Sequence, residues 1–483
     1  MAYKIQLRMI VMNIRYFIEY ISVAAMAFAV SATMNSCSDD YPDALDAPYS
    51  TDLLSIKVIN AGAEQNLIYE GTIDEEKKMV SFKRFDPSTD FSNLKVEATV
   101  SEGAELDSDV IDATLSDEET EKTVLLRVKN HTRYKDYFVR IRKKVPVYGA
   151  DWDKATLYDF TGGKIADAAS GSTRWADFDG NHVLLVSRNG GVKPELFSVT
   201  DLKAGTIDSP KILDVTGIAG GTFPISCGAL RNGHIYVSNL SGGGVSPLKI
   251  YYWDTPDSAP ENILNSILAD DAPNANTRHG DNASFNIGAE GNGYVFFGSN
   301  NGADFIRYSV TTGKTVGGPK VLTSFSGANS YPTIFRIGGT SDFVFSGINA
   351  YPRIVSEENK ASAEISGLSG LQITACQIVV FNEERYLLTC SVNRNGSGTS
   401  ALRIYDITKG SSLSDAVALL NANPKPIYEF VLGSDKCISP GTVVNYSIQK
   451  DAEGKDSVLS VFAFSTQMGF VIVDFPIKVT LDD

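Results

Sequence analysis

Ile235-Tyr236-Val237-Ser238, a polar Gly-rich segment, and then Ile250-Tyr251-Tyr252-Trp253-Asp254 make up one copy of a pattern that recurs through the C-terminal two thirds of this chain. An apolar strand ends in Ser, a Gly/Asn loop follows, and a second apolar strand comes after it, often closing on Asp or Ser/Thr. The first strands of six copies are Leu184-Leu185-Val186-Ser187, Ile235-Tyr236-Val237-Ser238, Phe296-Phe297-Gly298-Ser299, Phe343-Val344-Phe345-Ser346, Leu388-Thr389-Cys390-Ser391 and Phe462-Ala463-Phe464-Ser465. Their partners begin at Leu196, Ile250, Phe305, Arg353, Leu402 and Phe470, and Arg353-Ile354-Val355 is the weakest. The six serines are 51, 61, 47, 45 and 74 residues apart. Six units at that mean spacing fill residues 150–483 without remainder. A four-stranded propeller blade takes about 40–50 residues before insertions, and blades closed in a ring leave only short protected edges. The count therefore predicts a six-bladed β-propeller over 150–483. The longest interval is explained by a helix-like insert from Ser411 to Asn423. Either Ala155 to Phe160 or Ile477 to Thr480 supplies the outermost strand of the last blade.

The rest of the composition agrees with an all-β protein. The 483 residues include 41 Gly and 45 Phe plus Tyr, and 43% are hydrophobic, enough to bury a large core. The formal charge of −15 argues against a phosphate-backbone binder, which needs a concentrated basic surface, so no nucleic acid is expected as partner.

Residues 1–36 read as a cleaved leader: Lys4, Arg8 and Arg15 supply a basic start, and Tyr20 to Ser36 is uncharged but rich in small residues. Met12 is a second candidate start. Met34-Asn35-Ser36-Cys37 resembles the lipobox of bacterial lipoproteins, which implies acylation of Cys37 and anchorage in outer-membrane lipid; an ordinary secretory signal is the alternative. Ser38-Asp39-Asp40 is similar to the acidic export signal of Bacteroidetes surface lipoproteins, which implies a cell-surface, outer-membrane location. Loss of the leader removes three basic residues and one acidic one, leaving 447 residues at −17. Residues 37–50 have the Pro, Asp, Ser and Ala content of a flexible tether.

From 51 to 146 short alternating runs predict a small β-sandwich: Leu54, Ile56 and Val58; Leu94, Val96 and Ala98; Val124, Leu126 and Val128; Tyr137, Val139 and Ile141. Asn60-Ala61-Gly62, Gly71-Thr72-Ile73-Asp74, Pro87 to Leu94, Ser101-Glu102-Gly103-Ala104 and Tyr137 to Arg142 resemble the immunoglobulin-like N-terminal modules of Bacteroidetes surface glycan-binding lipoproteins. That resemblance implies a spacer lifting the next domain off the membrane. Basic residues from Arg127 to Lys144 offer a polyanion site or, at period two, a solvated strand face; the latter is the commoner outcome and no binding role is assigned.

Six copies of a polar loop gathered on one face of a propeller make one polar rim. Its candidates are Arg188, Asn189, Asn239, Asn300, Asn301, Asn349, Tyr351, Asn393, Arg394, Asn395 and Gln467, whose amides and guanidinium groups suit hydroxyl-rich ligands such as sugars. In any single loop Asn and Gly also serve turns that need positive φ. Sugar sites further need flat apolar platforms, for which Trp175, Tyr331 and Tyr351 are candidates, while Trp253 reads as core.

Catalytic motifs are scarce. The four His are scattered, and His182 and His234 sit at hairpin turns. No His-Glu-x-x-His, Gly-x-Ser-x-Gly, phosphate-binding glycine loop or sialidase-type aspartate box occurs. Asp270, Asp271, Asn274, Asn276, Asp281 and Asn282 form an oxygen-rich loop without calcium-loop spacing, so no metal or cofactor is expected. Cys227, Cys376, Cys390 and Cys437 read as buried thiols, with a Cys376–Cys390 bridge as the alternative. The whole pattern is similar to surface lipoproteins of Bacteroidetes glycan-utilisation systems, and its propeller resembles an uncharacterised family. The expectation is a non-catalytic protein binding a polysaccharide or glycoconjugate, in company with an outer-membrane transporter complex. A propeller glycosidase or lyase, with two carboxylates brought together from different blades, and an envelope scaffold are the alternatives.

Overall fold

A computed structural model describes residues 49–116, 119–145, 147–243, 245–275, 278–299, 304–323 and 330–478. The chain divides into two compact units between Val145 and Pro146. Cys37 and the leader lie outside the described residues, as do Asn276, Asn300 and Asn301. Among the described residues no helix is long and apolar enough to cross a membrane.

The N-terminal unit holds β1 (Leu53–Ala61), β2 (Leu67–Asp74), β3 (Met79–Phe82), β4 (Leu94–Val100), β5 (Glu105–Leu106), β6 (Val110–Ile111), β7 (Glu121–Asn130) and β8 (Arg133–Arg142). They are hydrogen-bonded in the order β5-β7-β8-β3-β2-β1-β4-β6 around one core that includes Ile56, Val58, Leu94, Leu126, Tyr137, Val139 and Ile141. All neighbours are antiparallel except β3 and β8. The alternation expected from Leu54 is corrected: Leu53 is buried and Leu54 is 62% exposed, because a bulge between Leu53 and Ser55 shifts the pairing with β4. Along the basic run, Arg127 pairs with Asp136 at 2.5 Å, Lys135 lies between Asp52 and Glu75, Arg140 meets Glu121, and Lys129 meets Asp107. Those pairs are the surface charge pattern of a strand face.

In the C-terminal unit six four-stranded antiparallel sheets follow one another. From inner to outer strand, blade 1 is β10 (Thr173–Phe178), β11 (His182–Ser187), β12 (Glu195–Ser198) and β13 (Lys211–Ile212). Blade 2 is β14 (Phe223–Arg231), β15 (His234–Leu240), β16 (Leu248–Trp253) and β17 (Glu261–Ser266), and blade 3 is β18 (Asn282–Ile287), β19 (Gly293–Gly298), β20 (Asp304–Thr311) and β21 (Thr315–Thr323). Blade 4 comprises β22 (Ser330–Arg336), β23 (Phe343–Ile348), β24 (Arg353–Val355) and β25 (Ala361–Glu364); blade 5 comprises β26 (Ile373–Phe381), β27 (Glu384–Ser391), β28 (Ser400–Asp406) and β29 (Tyr428–Gly433). Blade 6 is β30 (Thr442–Lys450), β31 (Asp456–Ser465), β32 (Gly469–Pro476) and, from the start of the unit, β9 (Thr156–Thr161). The first of the two closing segments is therefore the one used: β9 pairs with β32 from Thr161 opposite Gly469 to Thr156 opposite Asp474. The chain's entry into the ring and its exit share one sheet.

The repeated sequence pattern corresponds to the second and third strands. Both faces of each second strand are covered by the neighbouring blades, so β23 is buried along its whole length and β11 along all but its first residue. Double-sided burial selects continuous apolar runs. The insert between β28 and β29 is a helix over Leu413–Ala422, started by the Ser412 hydroxyl accepting from the Asp415 N–H.

First strands are different, because their residues meet neighbouring blades around the axis and carry polar groups that bond across. Near one end of the channel, Asp177 of blade 1 accepts from the Leu230 N–H and from Arg231 of blade 2 at 2.8 and 2.6 Å. Arg231 also donates to the Phe285 carbonyl of blade 3 at 3.0 Å, and Asn286 to the Ile334 carbonyl of blade 4 at 2.8 Å. Gln377 of blade 5 donates to the Val444 carbonyl of blade 6 at 2.9 Å, and Asn445 returns to Asp177 at 2.8 Å. A second belt lies further along the strands. There Ser226 donates to the Gly280 carbonyl, Asn282 to Tyr331, Thr333 to Thr374, and Thr466 to Thr173, at 2.7–3.1 Å. Thr374 and Thr442 are hydroxyl partners.

Candidate functional site

The two ends of the channel differ in what their polar groups have left to do. At the end carrying the turns between first and second strands lies a cavity of 840 Å³ bordered by Arg231, Asn286, Tyr294, Arg336, Gln377 and Asn445. Those side chains are engaged: Arg231, Asn286, Gln377 and Asn445 in the inter-blade belt, Tyr294 with Glu357 at 2.7 Å, and Arg336 with the Thr340 carbonyl at 3.2 Å.

The opposite mouth is formed where the first strands start and the second strands end. It holds a cavity of 240 Å³ lined by Ser172, Arg174, Arg188, Phe223, Arg278, Asp281, Tyr331 and Ser439. Arg174 is the second residue of β10, and Arg188 follows the last residue of β11. Arg278 and Asp281 belong to the segment entering β18. That segment comes close to blade 2: a Cβ on Gly280, whose φ is +97°, would lie 2.3 Å from the Asn239 carbonyl oxygen. Arg278 grips Asp281 with two bonds of 2.8 Å, the fork-to-carboxylate arrangement that holds its guanidinium above its ordinary pKa. Arg188 lies 3.5 Å from the same carboxylate, donates to Ser226 and to the Asp281 carbonyl at 3.1 Å each, and faces the Phe223 ring at 5.3 Å.

The Arg174 side chain forms no hydrogen bond, ion pair or ring contact with any described residue. Burial, and after it the like charge of Arg188, hold its guanidinium below its ordinary pKa. Its backbone is pinned from blade 6, since a Cβ on Gly441 would meet the Arg174 carbonyl oxygen at 1.8 Å. Across the mouth, Tyr331 has φ +54°, a left-handed conformation costly for a bulky side chain, and Arg394 lies over its ring at 5.6 Å.

The description "Domain of unknown function (DUF4623)" matches residues 39–478. The chain belongs to the DUF4623 family. A crystal structure of a DUF4623 family protein from Bacteroides eggerthii DSM 20697 is 47% identical, with a TM-score of 0.79 over 90% of this chain and 100% of that one. A putative oxidoreductase (glucose dehydrogenase) from Thermus thermophilus matches with 9% identity and a TM-score of 0.34 over 66% of this chain and 99% of that one, a likeness that carries no argument. Among curated proteins nothing matches.

Within this DUF4623 chain the rim residues read from sequence separate into three groups. Arg188 and Arg394 reach the channel mouth. Asn239 and Asn393 are buried and spent on nearby backbone: Asn239 bridges the Pro247 carbonyl and the Lys249 N–H of its own loop, and Asn393 joins the Ser434 carbonyl after β29 to the N–H groups of Gly396 and Gly398. Asn189, Asn349, Tyr351 and Asn395 are exposed. Of these, Asn189 closes a turn with Val192, and Asn349 has φ +65°. Gln467, also exposed, has φ +71°. Trp175 is corrected as a platform: it lies inside β10 opposite Val186, 2% exposed, with its ring in the core between blades. Trp175 belongs to β10, the inner strand of blade 1, which precedes the repeated apolar run of β11.

Arg174 and Arg278 escape the sequence pattern for the same reason. Their signal is positional: they stand in or just before the first strands, whose polar sequences hide the repeat.

Elsewhere, Asp271 accepts from Ser266 at 2.6 Å and Asp281 is bound to Arg278, so the oxygen-rich loop is divided between separate tasks. Cys376 and Cys390 occupy adjacent registers, Cys376 opposite Thr389 and Ala375 opposite Cys390, and so point to opposite faces of the blade. All four described cysteines are buried free thiols, and burial pushes Cys390 and Cys227 up to about 12. On blade 1, Glu195 is buried; burial first, then the charge of Asp167, push its carboxyl up to about 7.

Proposed function

We propose that this DUF4623 protein is a non-catalytic, cell-surface lipoprotein that binds a glycan or glycoconjugate at the propeller mouth formed by Arg174, Arg188, Arg278 and Tyr331. The observation that carries the reading is the contrast between the arginines of the channel ends: Arg231 and Arg336 at one are bonded to a carboxylate or to carbonyls, and Arg174 at the other is an uncommitted guanidinium beside aromatic rings. Open donors next to apolar ring faces suit the hydroxyls and C–H faces of sugars. The lipobox-like segment ending at Cys37 and the acidic residues after it support anchorage in outer-membrane lipid, and the Bacteroides relative supports that kind of envelope. The N-terminal unit, built around a single core, serves as an immunoglobulin-like spacer. A transporter complex of the outer membrane is the fitting recipient of the captured ligand.

Asp167 and Glu195 are the two carboxylates that bring the enzyme alternative to mind. Neither lines the channel mouth, where among the described residues Asp281 is the one lining carboxylate and is held by Arg278, so the mouth offers no carboxylate pair to a glycosidic bond. Affinity electrophoresis against a polysaccharide panel tests the proposal. Retardation without new reducing ends or unsaturated products is expected; product formation, or mobility unchanged on every polymer, would refute it.

A further inference from the structure

We infer that the glycan held at this mouth is acidic, and that its carboxylate or sulfate group enters the 240 Å³ cavity and pairs with Arg174. This rests on the glycan-binding reading and narrows its ligand class. Three guanidinium groups line the cavity against one lining carboxylate, in a chain whose overall charge is −15. Asp281 is taken up by Arg278 through two bonds and is shared with Arg188 at 3.5 Å. Positive charge is left over, and it is concentrated on Arg174.

A cation half-withdrawn from water, beside a like charge and with no counterion bonded to it, is held at a cost in free energy. Anion binding removes that cost. The planar fork of Arg174 matches the paired oxygens of a carboxylate or sulfate, which a hydroxyl does not offer. Arg231 at the other end of the channel shows what a structural arginine looks like in this fold: it meets a buried Asp at 2.6 Å and two carbonyls. Arg174 has no such set, yet Gly441 lets blade 6 press against its backbone and fixes where its side chain starts. At 240 Å³ the cavity is smaller than the roughly 300–1,000 Å³ of sites that enclose a drug-sized ligand, so it admits one acidic residue or substituent while the polymer lies outside.

The test compares matched polymers: polygalacturonate against its methyl ester, and dextran sulfate against dextran. Binding by the full mature chain and by Arg174→Gln is read by affinity electrophoresis and calorimetry, with Asn265→Ala, exposed on the outer strand β17, as a surface control. Retardation by one acidic polymer but not its neutral counterpart, a Kd raised at least tenfold in Arg174→Gln, and weakening by salt are expected. The polymer that binds tells carboxylate from sulfate. As a readout on the unaltered protein, phenylglyoxal should modify Arg174 and the bound acidic polymer should protect it.

Equal binding of neutral and acidic polymers, or undiminished acidic binding by Arg174→Gln, overturns the anion seat and leaves the glycan reading standing. If no polymer binds but free galacturonate or sulfate protects Arg174, the seat stands and the glycan reading fails. Protection by neither overturns both.

Discussion

Replacing Asp177 by Ala is expected to loosen the ring at its closure. The carboxylate is buried, accepts from Arg231, the Leu230 N–H and Asn445, and so ties blades 6, 1 and 2 together. Its loss leaves the Arg231 guanidinium, whose side chain is 17% exposed, without its counterion, and the Leu230 N–H without its acceptor. Removing one partner of a buried ion pair costs about 3–5 kcal/mol, because the remaining charge stays desolvated. At roughly 2 °C per kcal/mol for a large domain, the transition of the propeller should fall by about 6–10 °C. Thermal and urea unfolding followed by near-ultraviolet circular dichroism would measure it. The double variant Asp177→Leu with Arg231→Met, which removes both charges, should recover much of the loss, since replacing a buried pair with apolar groups is often close to neutral. If Asp177→Ala unfolds within about 1 °C of the parent, or if the double variant is worse than the single by the sum of both losses, the belt does not hold the ring and the reasoning fails.

Three further outcomes follow from the same geometry. Phe160 of the closing strand is buried and packs on Phe470 at 4.9 Å, so Phe160→Ala should cost about 3–5 kcal/mol and admit proteolysis near residues 155–170; resistance equal to the parent would count against β9 as the clasp. Glu195 has its folded pKa raised from 4.5 to about 7, so the folded state binds the extra proton and this contribution to stability, full below about pH 4.5, is lost as pH rises through 7. Glu195→Gln should flatten the fall in melting temperature between pH 5 and 8, and an unchanged pH profile would show the carboxyl to be ordinary. Cys37→Ala in the full-length precursor should move the protein from the membrane fraction to the soluble one and abolish palmitate labelling; retention of either would contradict lipid anchorage.

Legibility differed strand by strand. Leu184 to Ser187 and its five counterparts stood out because each is covered on both faces, which leaves an uninterrupted apolar run. Outer strands such as Lys211–Ile212 and Ala361–Glu364 are exposed and gave no signal. Inner strands such as Thr173-Arg174-Trp175-Ala176-Asp177-Phe178 mix core residues with groups that bond to the next blade, and a one-dimensional pattern cannot show a neighbour that is fifty residues away. The same blindness explains the rim. Asn239 and Asn393 recurred as sugar-ready amides, yet both are buried with their amides tied to backbone groups around them, out of a ligand's reach.

From the residues alone came the all-β class, six blades, the helical insert at Ser411 to Asn423, and two of the four mouth arginines, because burial and spacing leave periodic marks along a chain. Folding alone decided which segment clasps the ring, that Trp175 is core, and that Arg174 and Arg278 meet at one cavity. Pairing and charge balance arise between residues brought together from different blades, and neither leaves a period to read.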